Sequence, residues 1–156
     1  SIQQVKSYFQ QFGMESRVRE LPESSATVEL AAQALGTQPA RIAKTLSFLV
    51  DEGCVLIVTA GAKIDNSKFK AMFHTKAKML SPEQVYSFQA MQWAASALLP
   101  TGGVRTYLDV SLQRFETVFP AAGSSNSAIQ LTCDELAEYS HSLGWIDVCK
   151  GWQETP

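Results

Sequence analysis

The apolar positions divide the chain into short helices and strands that follow one another without a repeat. Ile2, Val5, Tyr8, Phe9 and Phe12 recur at helical spacing and stop at Gly13, which predicts an amphipathic helix closed by a glycine. A short strand is expected over residues 17–21. Thr27 precedes an apolar-periodic run over 28–35, with Glu29 in the first turn and Gly36 just beyond, so Thr27 reads as a helix N-cap. A second short helix is expected near Pro39. Residues 45–50 and 54–60 are dense apolar runs separated by Asp51-Glu52-Gly53, the pattern of a hairpin between two core strands. Farther along, 65–72 predicts a helix and 77–80 a short strand. Ser81-Pro82-Glu83 reads as the start of another helix, with serine as cap and proline at the first helical position. Strands are expected over 106–110, 117–121 and 128–132. Thr132-Cys133-Asp134-Glu135 then has the form of a capping box leading into a helix over 136–143.

Helices and strands mix here without strict strand–helix–strand alternation, and hairpin connections are interspersed. The expected class is α+β, with a mixed, largely antiparallel sheet flanked by helices. A length of 156 residues with 46% hydrophobic residues suits one domain, residues 1–156, with a real core.

Charge and cysteine usage narrow the function classes. A formal net charge of −2 and a pI near 5.7 provide no global basic field, so extended wrapping by a nucleic-acid backbone is not expected. Locally, Lys63, Lys68, Lys70, His74, Lys76 and Lys78 face only Asp65 in opposition; a solvated helix face and a patch for RNA phosphates both fit that run. Cys54, Cys133 and Cys149 are scattered and form no CxxC pair, which argues against a disulfide framework or a zinc site and suits a reducing cytoplasm. The chain shows no basic-then-apolar leader and no apolar run near the roughly 20 residues that span a bilayer, so a cytoplasmic protein without membrane contact is expected.

Few residues carry suggestive chemistry. No GxGxxG, P-loop, GxSxG or HExxH occurs. His74 and His141 stand far apart with no orienting acid beside either, which disfavours a histidine-centred mechanism. Lys44 lies where a charge enters an apolar strand, so it must find a partner, reach solvent or serve a site. Gly102 and Gly103 would let backbone N–H groups converge on an anion or carbonyl, and a tight turn is the alternative reading. The small polar loop over 121–127 lines a pocket or turns a hairpin. Trp93, Trp145 and Trp152 would suit an interaction surface if they shared one, although indoles more often belong to the core.

Several blocks, in order along nearly the whole chain, carry a family resemblance. They are residues 27–36, Ile42-Ala43-Lys44-Thr45-Leu46, Val55-Leu56-Ile57-Val58, residues 61–65, residues 80–85, Thr101-Gly102-Gly103-Val104, and Ala122-Gly123 followed by 129–131. Together they resemble the YbaK-type aminoacyl-tRNA editing domains, which include the editing insertion of bacterial prolyl-tRNA synthetases and single-domain proteins that act in trans. The chain looks like a free-standing member.

The resemblance implies a mixed sheet or partly open barrel, and hydrolysis of the ester that joins a wrong amino acid to the terminal adenosine of a tRNA. Cys-tRNA-Pro, or another small amino acid, is the leading substrate. The implied partners are the acceptor end of a mischarged tRNA and prolyl-tRNA synthetase, with no DNA, metal or cofactor. Lys44 would pair with the phosphate or ribose end of the substrate. Gly102 and Gly103 would polarise the carbonyl, and Thr45, Asp109, Gly123 and Ser124 would contact the substrate. Water oriented by a ribose hydroxyl, or the thiol of a cysteinyl ester, would supply the nucleophile.

Two departures qualify the pattern. Family members usually continue the paired glycine with a Pro-Pro-Phe-Gly-like loop, whereas Val104 here runs directly into Arg105-Thr106-Tyr107-Leu108-Asp109. Phe119-Pro120-Ala121-Ala122-Gly123 lacks the His-Pro block of the alanine-selective branch, which disfavours alanyl esters. The alternative function is a catalytically inactive relative that binds tRNA ends, a synthetase or a small aminoacyl ligand.

Overall fold

A computed structural model describes residues 2–22, 27–50, 53–81, 104–122 and 126–152. In chain order the elements are α1 (Ile2–Gln10), β1 (Val18–Glu20), α2 (Val28–Leu35), β2 (Ile42–Val50), β3 (Gly53–Ala60), β4 (Lys63–Ile64), α3 (Asn66–Phe73) and β5 (Val104–Asp109). They continue with β6 (Thr117–Pro120), β7 (Ser127–Ile129), β8 (Leu131–Thr132), α4 (Cys133–Tyr139), β9 (Trp145–Ile146) and β10 (Cys149–Lys150). No helix among the described residues is long and apolar enough to cross a membrane.

The main sheet has six strands in the order β8-β6-β2-β3-β5-β9. Its β2–β3 and β6–β8 pairs are antiparallel, and β2–β6, β3–β5 and β5–β9 are parallel. Two short antiparallel ribbons, β1–β7 and β4–β10, flank it. The result is the mixed α+β architecture expected from the sequence.

Side chains alternate across a strand, so β2 and β3 divide their residues between two cores. Ala43, Val58, Ala60 and Leu108 face α1 and α4 and meet Val5, Phe9 and Leu136. Phe48, Val55 and Ile57 face α3 and the C-terminal segment and meet Phe69, Phe73, Ile146 and Val148. Strand β3 is buried from Cys54 to Ala60, which explains why it reads as an unbroken apolar run. Each large side chain removed from water here contributes about 1.5–3 kcal/mol before entropy is counted.

Local signals hold where they rest on caps. The Thr27 hydroxyl accepts from the Leu30 N–H, and Gly36 closes α2 at φ 70° in the left-handed region. The helix expected over 65–72 is α3, with Asp65 as its cap, accepting from the Ser67 and Lys68 N–H groups.

Tertiary pairing moves other boundaries. Strand β2 starts at Ile42, not at 45, because Ile42 and Ala43 pair with Phe119 and Pro120 of β6. Residues 77–80 form no strand and contribute a single bridge, Met79 to Phe48. The expected strand over 128–132 divides into β7 and β8, which pair with β1 and β6 respectively. The helix expected to begin at Ser81-Pro82-Glu83 falls outside the described residues.

The α4 cap makes a testable electrostatic unit. The Thr132 hydroxyl accepts from the Glu135 N–H at 3.1 Å, and the Glu135 carboxylate accepts from the Thr132 N–H at 2.9 Å. Arg17 donates to both oxygens of the same carboxylate at 3.0 Å. Partial burial pushes the Glu135 carboxyl up, but the donors from Thr132 and Arg17 outweigh it and hold the group below its ordinary value of 4.5. A lowered folded-state pKa contributes stability that is present above pH 4.5 and is lost as pH falls through the lowered value. Glu135→Gln is therefore expected to lower stability by about 1 kcal/mol at neutral pH. It should also flatten the decline of the thermal midpoint below pH 4.5; a variant with the parent's acid limb would contradict the cap's electrostatic role.

Candidate functional site

Ile42 and Lys44 lie two residues apart and so project from the same face of β2. Ile42 closes one side of a small pocket of about 100 Å³ whose other walls include Leu21, Val28, Ala31, Phe119 and Ser127. Lys44 lines an adjoining cleft of about 450 Å³ together with Glu29, Thr59, Gly61 and Lys63. Val28 and Ile42 belong to both, so an apolar pocket opens beside a cleft that carries a cation. The rim is held by one backbone and one side-chain hydrogen bond: the Leu21 N–H donates to the Asn126 carbonyl at 2.6 Å, and Asn126 Nδ2 donates to the Leu21 carbonyl at 3.0 Å.

Lys44 is exposed and stands opposite Thr59 of β3, which is buried. Among the described residues it makes no ion pair and no hydrogen bond through its side chain. A cation that owes the fold nothing is free to meet an anion or a ribose. Thr45, the next residue, falls on the opposite face of β2, so the strand does not bring these two expected site residues together.

Asp109 ends β5 with no solvent exposure. Its Oδ2 accepts from the Ser111 N–H and its Oδ1 from the Val148 N–H, both at 2.9 Å. One carboxylate thereby caps the turn over Val110–Arg114 and ties the C-terminal segment to the sheet. Arg114 completes this corner: its Nε donates to the Ser111 carbonyl at 3.0 Å, its Nη2 donates to the Ala60 carbonyl, and its guanidinium stacks on Phe115 and Trp152. Burial lowers the Arg114 pKa, and the nearby Asp109 charge opposes that fall.

Gly61, on the cleft wall, sits at φ 57°. A Cβ there would stand 3.0 Å from the Ala40 Cβ and 3.1 Å from the Ala40 Cα. Gly61→Ala is expected to cost about 2 kcal/mol, since both the backbone region and the close neighbour oppose a side chain. A chemical-denaturation midpoint equal to the parent's would contradict this.

Gly102, Gly103, Gly123 and Ser124 lie outside the described residues. Their flanking residues differ in place. Ala121 and Ser127, on either side of 123–125, both line the small pocket. Val104 pairs with Cys54, five residues along β3 from Thr59, which is roughly 17 Å at the rise of an extended strand.

Among the described residues no cysteine or histidine lines either cavity. Burial pushes the Cys54 thiol up to about 11 and raises Cys133 and Cys149, so none of the three is a thiolate at neutral pH. His141 Nε2 lies 3.1 Å from the Tyr8 hydroxyl, and His74 closes α3 in the left-handed region. Neither histidine lines the pocket or the cleft. No group of three or more His, Cys, Asp and Glu among the described residues is placed to hold a metal ion.

The basic run over 63–78 does not act as one patch. Lys68 pairs with Asp147 at 2.9 Å and donates to the Cys149 carbonyl, while Lys63 lines the cleft. Trp145 and Trp152 pack against different cores and so share no surface; Trp93 lies outside the described residues. Sequence reasoning missed Val28, Ala31 and Ile42 as a pocket wall, since apolar periodicity marks them simply as core.

The sequence profile of the aminoacyl-tRNA editing domain matches residues 22–139. The uncharacterized protein YwhH of Bacillus subtilis (strain 168) is 49% identical over 158 aligned positions, spanning 98% of this chain and 99% of its own. Among solved structures, a protein proposed as a trans-editing enzyme for prolyl tRNA synthetase superposes with a TM-score of 0.77 at 24% identity, over 94% of this chain and 98% of its own. A scaffold used for computational epitope grafting superposes with a TM-score of 0.81 at 24% identity, over 96% and 97% of the two chains. At that identity the structural likenesses show the shared fold.

Proposed function

The chain belongs to the aminoacyl-tRNA editing domain family, and from that premise we propose that it is a trans-acting deacylase that clears a small amino acid from a mischarged tRNA. The observation that carries this reading is the junction at Val28 and Ile42, where a small apolar pocket meets the cleft of Lys44, which forms no ion pair among the described residues. A volume of about 100 Å³ favours a small side chain such as that of cysteine or serine over leucine or phenylalanine. Cysteine is the favoured occupant.

In this reading the amino-acid side chain enters the pocket and the terminal ribose lies in the cleft. Lys44 anchors the phosphate or ribose end and sets the ester carbonyl at the junction. Backbone N–H groups polarise that carbonyl, each such donor being worth about 3 kcal/mol in a preorganised site. Gly123 and Ser124 are the favoured source over Gly102 and Gly103, because residues 121 and 127 line the pocket, whereas Val104 stands roughly 17 Å along the sheet from Thr59. Water oriented by the neighbouring ribose hydroxyl attacks the carbonyl carbon, the bond to the ribose oxygen breaks, and that oxygen leaves with a proton. For a cysteinyl ester the substrate thiol attacks its own carbonyl carbon, the ribose oxygen leaves with the thiol proton, and water then opens the resulting thiolactone to free cysteine. Asp109 and Thr45 act from the frame and not on the substrate. Prolyl-tRNA synthetase, in the cytoplasm, is the proposed source of the errors.

The test is a set of preformed tRNA-Pro esters carrying cysteine, serine, leucine and phenylalanine, with the correctly charged prolyl ester as the control. Release of cysteine and serine at least about tenfold faster than leucine and phenylalanine is expected, from the cost of overfilling a small pocket. Equal rates for large and small residues would overturn the pocket assignment.

A further inference from the structure

The β4–β10 ribbon pairs Ile64 with Cys149 and Lys63 with Lys150. Ile64 and Cys149 pack into the core, which leaves Lys63 and Lys150 side by side on the exposed face. Like charges on directly opposed residues, with Cβ atoms about 5 Å apart, destabilise a ribbon unless an anion joins them. The carboxylates nearby in the chain are already engaged: Asp65 accepts from the Ser67 and Lys68 N–H groups, and Asp147 pairs with Lys68. Glu29, on the wall of the Lys44 cleft, makes no ion pair among the described residues. Lys63 also lines that cleft, so cations continue outward from Lys44 through Lys63 to Lys150. They form a local track on a chain whose formal net charge is −2.

We propose that Lys63 and Lys150 bind backbone phosphates of the single-stranded RNA 3′ end that leads to the acylated adenosine at Lys44. This rests on the deacylase reading for the identity of the polynucleotide, while the paired cations stand on the ribbon itself. Phosphates would relieve the Lys63–Lys150 repulsion, and their binding would release counterions and depend on salt.

The experiment measures fluorescence anisotropy with two uncharged RNA hairpins, one ending in a single-stranded CCA and one blunt. The parent is expected to prefer the CCA hairpin. The Lys63→Ala/Lys150→Ala double variant should bind that hairpin about tenfold more weakly, with a salt slope shallower by about 1.4 for two single-strand phosphates. It should also lose the preference between the hairpins. Its thermal midpoint should match or exceed the parent's, because a repulsion has been removed, and Lys63→Arg/Lys150→Arg should keep the preference. A double variant that retains the parent's preference and salt slope would overturn the proposal, as would a parent indifferent to the overhang. A parent that shows the expected binding but releases no amino acid would sink the deacylase reading and leave the phosphate track standing.

Discussion

Lys44→Ala is expected to lower kcat/KM for a mischarged tRNA about a hundredfold while leaving the thermal midpoint unchanged. The two halves have one cause. Lys44 is exposed and makes no ion pair with any described residue, so its removal costs the fold no partner and stays within the roughly 0.5 kcal/mol of a surface substitution. In the complex, an ammonium meeting an anion at the cleft contributes about 1.5–3 kcal/mol, which corresponds to roughly 10- to 150-fold in rate. Lys44→Arg should recover part of the loss, since the charge is kept while the point geometry of the ammonium is not. A variant with the parent's kcat/KM would remove Lys44 from the site.

Asp109 should give the opposite signature. Asp109→Ala leaves the Ser111 and Val148 N–H groups without their acceptors in a region closed to solvent. Each orphaned buried donor costs about 1–3 kcal/mol, so a loss of about 3 kcal/mol or more is expected, or roughly 6–12 °C in the thermal midpoint. Asp109→Asn should recover little, because its amide group turns a donor toward a donor. A midpoint equal to the parent's, with activity lost, would instead place Asp109 against the substrate.

The pairing of these two outcomes reflects what could be read along the chain. Caps were legible because their chemistry is local: Thr27 and Thr132 each accept a backbone N–H three residues on. Strand β3 was legible because burial on both faces leaves an unbroken apolar run. The start of β2 was not, since Ile42 and Ala43 become strand through pairing with β6, some 75 residues away in the chain. Two-residue strands such as β4, β9 and β10 carry no periodicity, so the Lys63–Lys150 pair was invisible. The basic run pointed to Lys63 and Lys68 alike, and only the fold separates them, tying Lys68 to Asp147 and opening Lys63 to the cleft.

Within the site, Lys44 was found because a charge in an apolar strand must be accounted for. The joint wall made by Val28 and Ile42 was not found, because packing α2 onto the end of β2 is a tertiary event. Thr45 shows the limit of sequence adjacency: one residue along a strand is the other side of the sheet.

The most direct measurement compares release of cysteine from preformed Cys-tRNA-Pro by the parent with spontaneous hydrolysis in the same buffer. A trans-acting deacylase accelerates release at concentrations far below that of the tRNA, and Lys44→Ala returns the rate toward the spontaneous one. Release no faster than spontaneous hydrolysis, for cysteine and for every other small amino acid, would contradict it.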